Sequence, residues 1–142
     1  MTEDFEGQGG RALIVTNWWK KAEESLAAAR SEYQAGRLSF AVNRLYFALF
    51  YAVTAVLAQQ GLSYRKHTAV RAAFHRDFVR TRRVPESDGR LYDDLFNQRQ
   101  QSDYDPLAQF DPARVGAYVE RVEAFLRRFR ALAGLSPSEG ER

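Results

Sequence analysis

Residues 39–60 read SFAVNRLYFALFYAVTAVLAQQ, and the fold follows from how this stretch is read. Val42, Leu45, Leu49, Val53 and Val56 recur every three or four residues and mark one apolar stripe of a helix. Phe47, Phe50 and Tyr51 occupy its other sides, so the helix is apolar nearly all the way round. Such a helix is either the centre of a bundle or half core and half subunit interface. Asn43 and Arg44 are its polar exceptions, and the Tyr46 hydroxyl lies in the same turn. Polar groups in that setting are tolerated when hydrogen-bonded, so all three are expected close to another polar segment. Ser39 is suited to cap the start of the helix and Gly61 to close its end.

Working outward, Trp18, Ala22, Leu26, Ala29 and Tyr33 predict an earlier helix over 17–35, with Gly36 as its C-terminal cap. The connection to Ser39 is so short that the two helices form an antiparallel hairpin. A basic helix is predicted over 66–80, with Val70, Ala73, Phe74 and Phe78 inward, broken by Arg82-Arg83-Val84-Pro85. A fourth spans 87–102 and stops before Asp105-Pro106, since a residue preceding proline is pushed out of the helical region. Asp111-Pro112 supplies a cap and a first-turn proline for a last helix reaching about Ala133. No strand pair is visible. The fold class expected is all-α, an up-and-down helical bundle of about five helices over residues 16–133. Residues 1–15 read as a flexible N-terminal arm and 134–142 as a disordered tail.

The chain has 142 residues, enough for one domain with a substantial core. A net charge of +3 is too small to establish a nucleic-acid partner. Absence of cysteine removes disulfides, thiolate zinc sites and a cysteine nucleophile together. The run Leu45 to Ala58 is shorter than the roughly 20 residues a bilayer requires, and the acidic start of the chain is unlike a signal peptide. A cytoplasmic protein with no membrane partner is expected. No phosphate-binding glycine loop, nucleophile elbow or zincin motif occurs. His67 and His75 are separated by Arg71 with no interleaved carboxylate, and Asp93-Asp94 stands without a second acidic pair. No metal and no cofactor are therefore expected.

Two segments remain as candidates for chemistry. Arg65, Lys66, Arg71, Arg76, Arg80, Arg82 and Arg83 are opposed only by Asp77, which suits either a solvated helix face or contact with phosphates. In residues 97–105, NQRQQSDYD, the apolar positions Leu91, Tyr92, Leu95 and Phe96 count forward to Arg99 and Asp103 at the edge of the packed face. A guanidinium there is costly unless paired, and Asp103, Tyr104 or an external phosphate would pair it.

The blocks Ala41-Val42-Asn43-Arg44-Leu45-Tyr46-Phe47-Ala48, Gly61-Leu62, Arg65-Lys66-His67, Phe74-His75-Arg76-Asp77-Phe78-Val79, Leu95-Phe96-Asn97-Gln98-Arg99 and Ser102-Asp103-Tyr104-Asp105 follow one another in an order that resembles the HEPN domain family, in its UPF0332-like branch. The resemblance runs from about Asn17 to Ala133. It implies a dimeric helical bundle, often encoded beside a minimal nucleotidyltransferase as a toxin–antitoxin pair, and in many members a metal-independent ribonuclease. The family signature is an arginine followed, after four to six residues, by a histidine, with two copies facing one cleft. Carried over, the arginine is Arg99, but after four intervening residues stands Tyr104, and no later histidine exists.

In that reading Arg99 holds the scissile phosphate, with Asp103 and Tyr104 beside it and Asn43, Arg44, Tyr46, Lys66 and His67 as supporting or phosphate-binding groups. Tyrosine, with an ordinary pKa of about 10, is a weak base at neutral pH. Some members carry an adenylylated tyrosine just after the histidine. Pro106 stands at that position, leaving Tyr104 as a shifted acceptor. The two resulting expectations are an RNA-binding or RNA-cleaving homodimer and a non-catalytic homodimeric module that docks on a nucleotidyltransferase.

Overall fold

The computed structural model describes residues 2–136, with side chains from Gly9 onward. It is an all-α bundle of five α-helices: α1 (Thr2–Gln34), α2 (Leu38–Gln59), α3 (His67–Phe74), α4 (Glu86–Tyr104) and α5 (Pro112–Leu132). A single π-helical segment, His75–Val79, continues α3. No strand occurs among the described residues.

α2 is the element around which the rest is built, packing on α1, α3, α4 and α5. Val42, Leu45, Leu49, Val53 and Val56 are all fully buried. Its remaining apolar sides are largely covered within the chain, where Trp18 of α1 stacks on Tyr51 at 5.7 Å between ring centres. At 22 residues α2 is long and apolar enough to cross a bilayer, yet most of it lies inside the bundle. The expected hairpin between the first two helices is present. Gly36 adopts φ +78°, a left-handed conformation that few other residues take easily, and Arg37 N donates to Glu32 O at 2.9 Å. Gly61 closes α2 in the same way, with Leu62 N donating to Leu57 O at 2.9 Å.

Four local expectations are corrected. Ser39 does not cap α2, which begins at Leu38, two residues before the start that a Ser39 cap implies, with Arg37 at the cap position and no side-chain cap. The Gly36 turn leads straight into the helix, and the Ser39 hydroxyl instead meets Ser102 Oγ of α4 at 2.5 Å. α1 begins at Thr2 and not near Asn17, so the backbone read as an arm is helical. Val15, 1% exposed, anchors that extension in the core, and Arg11 Nη1 donates to Gln59 O at 3.4 Å, a cation at the negative end of α2. The basic helix is divided, because from His75 the chain bonds with a wider turn, Arg80 N reaching His75 O at 2.9 Å. Within the segment expected as a tail from Gly134, Leu135 packs on the core; residues 137–142 lie outside the described residues.

The later boundaries fall as expected. Asp105, before Pro106, is extended at φ −119° and ψ 101°, and Asp111 accepts from Arg114 N at 3.2 Å with Pro112 in the first turn of α5. Asp88 of α4 is buried and paired with Arg128 of α5. Gly89 lets α4 approach the π segment, since a Cβ there would lie 3.0 Å from His75 Cε1 and 3.2 Å from both Val79 methyls.

Candidate functional site

α4 delivers Arg99 one turn beyond the buried Leu95 and Phe96, at the edge of the core. Its guanidinium carbon sits 5.3 Å from the ring centre of Tyr46 and 5.2 Å from that of Phe47, both from α2. Aromatic faces attract a cation and remove water from one side of it. Arg99 Nε is 3.0 Å from Asp103 Oδ2, one turn on. The N–H does not point at that oxygen, and Nε is buried without a hydrogen-bond acceptor among the described residues. The contact is therefore an ion pair by distance and leaves hydrogen-bonding capacity on the arginine unused.

The polar interruptions of α2 gather around this point. Asn43 Nδ2 donates to Asp103 Oδ1 at 3.4 Å, and Asn43 Oδ1 accepts from Arg44 Nε and Nη2 at 3.1 and 2.6 Å. Arg44 in turn lies over Phe47, 5.1 Å from its ring centre. Ala28, Glu32, Ser39, Phe40, Asn43 and Asp103 are among the residues lining a surface depression on this side of α2.

The first residue of α3 completes the arrangement. His67 Nδ1 lies 2.8 Å from Tyr46 Oη, and the imidazole stacks on Phe50 at 4.1 Å with planes 12° apart. Its edge contact with Phe47 is 5.7 Å between centres. His67 and Arg99 thus rest against the same two rings, Tyr46 and Phe47. Burial, reinforced by the Arg99 charge, holds the imidazole below its ordinary pKa, so the neutral form is favoured. Burial pushes the Tyr46 phenol up to about 12, with the Tyr92 hydroxyl, Arg99 and Arg71 acting the other way, so it stays protonated as a hydrogen-bonding group.

Three residues not singled out as site members, Arg71, Asp93 and His75, form a polar cluster alongside. Arg71, one turn beyond His67, lies over Phe96 at 4.6 Å and its Nε donates to Asp93 Oδ1 at 2.8 Å. His75 Nε2 meets the same oxygen at 2.8 Å. The signal was present in the sequence: Asp93, Phe96 and Arg99 follow at three-residue steps, matching the His67, Arg71 and His75 ladder opposite.

Two expected members are not brought in. Lys66 is exposed at the cap position of α3, and its side chain forms no ion pair or hydrogen bond among the described residues. Tyr104 is 83% exposed, and no hydrogen bond or ring contact ties it to Arg99. α4 remains helical through Tyr104, so five residues of separation place it about 140° around the axis from Arg99.

The model of the HEPN domain matches residues 15–132, which include every residue of the site. The chain belongs to the HEPN domain family. A "UPF0332 protein" of Thermotoga maritima is 41% identical over 113 residues, covering 80% of this chain and 86% of the relative. "Putative toxin MJ0142" of Methanocaldococcus jannaschii is 28% identical over 109 residues, covering 77% of this chain and 74% of its own. A second protein of that organism, "Putative toxin MJ0605", is 34% identical over 83 residues, 58% of this chain and 62% of the relative. In this HEPN protein the described arginine–imidazole pair joins α4 to α3 through α2, and does not lie within a single helix.

Proposed function

We propose that this HEPN protein is a toxin-like RNA-binding protein of the cytoplasm that cuts RNA without a metal, holding the scissile phosphate on Arg99. The carrying observation is the Arg99 guanidinium, desolvated on one side by Tyr46 and Phe47, a quarter exposed on the other, and making no hydrogen bond among the described residues. Such a group gains most from an incoming anion. Two relatives named as toxins agree with this reading. A homodimer would bring two Arg99 clusters to one cleft, and a minimal nucleotidyltransferase is the partner that would restrain the toxin.

A second reading is a non-catalytic homodimer that docks on the nucleotidyltransferase. It is favoured by the closeness of Arg99 to Asp103 and the Asn43 contact that steadies Asp103. Incubation of the purified full chain with fluorescent single-stranded RNA separates the two. Cleavage that is lost in Arg99→Ala, with helicity retained, supports the ribonuclease. An inert wild type, together with a marked loss of stability in Arg99→Ala, supports the docking module.

A further inference from the structure

We infer that His67, from the start of α3, is the proton acceptor of this site, and that Tyr46 is the positioning residue that aims it. The inference rests on the ribonuclease reading above. The chain contains two histidines. His75 is committed elsewhere: its Nε2 is on Asp93 and its Cε1 is pressed against Gly89. His67 is held on three sides, by the Phe50 face, the Phe47 edge and the Tyr46 hydroxyl. Those contacts use its Nδ1 and its ring face, and Nε2 makes no hydrogen bond among the described residues. In the tautomer that donates Nδ1–H to Tyr46 Oη, Nε2 carries a free lone pair beside the rings that also hold Arg99.

The reaction that fits is internal transesterification of RNA. His67 Nε2 takes the proton of a ribose 2′-hydroxyl, the 2′-oxygen forms a bond to phosphorus, and the bond from phosphorus to the 5′-oxygen breaks. The departing 5′-oxygen takes a proton from water, and the imidazolium neutralises the hydroxide left behind. The products are a 2′,3′-cyclic phosphate and a 5′-hydroxyl, with no further reactant. The ionisable groups facing the imidazole are Tyr46 of α2 and Arg99 of α4; Arg71 lies one turn on along α3, and Asp93 and Asp103 are each held against an arginine. These surroundings keep His67 neutral near pH 7, the state a base requires.

The test uses the full chain, a fluorescent RNA oligonucleotide and the same oligonucleotide with 2′-deoxy sugars as a binding probe. His67→Gln is expected to lower cleavage at least about 100-fold while leaving anisotropy binding of the deoxy probe within a few-fold. Added imidazole is expected to restore part of the activity of His67→Ala. The wild-type rate is expected to rise with pH and level off below the ordinary imidazole value of about 6.5, and Tyr46→Phe to displace that limb. Near-normal cleavage by His67→Gln beside an inactive Arg99→Ala would overturn the role of His67 and leave the ribonuclease standing. That role is equally overturned if His75→Gln, and not His67→Gln, removes activity, or if the products carry a 3′-hydroxyl. A wild type that cleaves no RNA overturns both.

Discussion

Tyr46 Oη lies 2.8 Å from His67 Nδ1, which ties the middle of α2 to the first residue of α3 while the face of the same phenol supports Arg99. One side chain therefore couples three helices at the point where their polar groups meet. Tyr46 is fully buried, so its hydroxyl has no water to fall back on.

That coupling has a measurable consequence for His67. Its imidazole titrates below the ordinary value because of burial and then Arg99. Removing the guanidinium in Arg99→Gln is expected to move the midpoint upward, as read from the His67 ring proton by NMR. The unfolded chain binds the proton more readily than the folded one, so this group's contribution to stability falls as pH drops below about 6.5. An unchanged midpoint in Arg99→Gln would show that burial alone sets the value.

Asp88 gives a dependence of the opposite sign. Burial raises its carboxyl pKa in the fold, with Arg128 opposing. Between the ordinary carboxylate value of about 4 and the raised folded value, the folded state binds more protons than the unfolded, so stability falls as pH rises. Asp88→Asn is expected to flatten that limb in a series of thermal melts across the acid range. A wild-type melt that climbs steadily there, unaffected by the substitution, would contradict this.

Gly89→Ala is expected to destabilise the fold by up to about 2 kcal/mol, because its methyl would meet His75 and both Val79 methyls at a crowded contact whose cost exceeds the roughly 1 kcal/mol that alanine gains over glycine inside a helix. Urea unfolding measures it. Gly9→Ala, which would meet nothing nearby, serves as the matched control.

Which features were legible follows from how local they are. The Gly36 and Gly61 turns, the Asp105-Pro106 stop and the Asp111-Pro112 cap each depend on a few adjacent residues, and each was readable. The division of the basic helix at His75 depends on how closely α4 approaches, which Gly89 permits and no local pattern announces. Ser39 looked like a cap because its partner, Ser102, lies 63 positions away. At the site, Asn43, Arg44 and Tyr46 were conspicuous as polar groups in an apolar helix, and their approach to Arg99 follows from that alone. His67 was named only as a supporting group, because its place beside Arg99 rests on packing against Phe47 and Phe50, which no local pattern announces.

The dimer of the proposed function is expected to use the apolar residues the fold leaves outside. Phe40 is 62% exposed beside the depression at Asn43 and Asp103, and Leu107 is 84% exposed just past the end of α4. Large exposed apolar groups mark association surfaces when they cluster. Light scattering at micromolar concentration should report a dimer for the wild type and a smaller species for Phe40→Asp or Leu107→Asp. A monomeric wild type would remove the shared cleft from the reading.

Cleavage chemistry supplies the last expectation. Arg99→Ala should reduce RNA cleavage by about 100- to 1,000-fold, the scale on which loss of one phosphate-directed donor is felt. Tyr104→Phe should change it by no more than about tenfold, the worth of a single solvent-exposed hydrogen bond, because that hydroxyl stands on another side of α4. Excess EDTA should have no effect. No three histidine or carboxylate side chains gather to hold a metal among the described residues, and Asp93 is already occupied by Arg71 and His75. The assay is one fluorescent RNA, the wild type with and without EDTA, and the two variants, with circular dichroism to verify folding. If Tyr104→Phe were inactive and Arg99→Ala active, the pairing of Arg99 with phosphate would be wrong and the end of α4 would carry the chemistry instead.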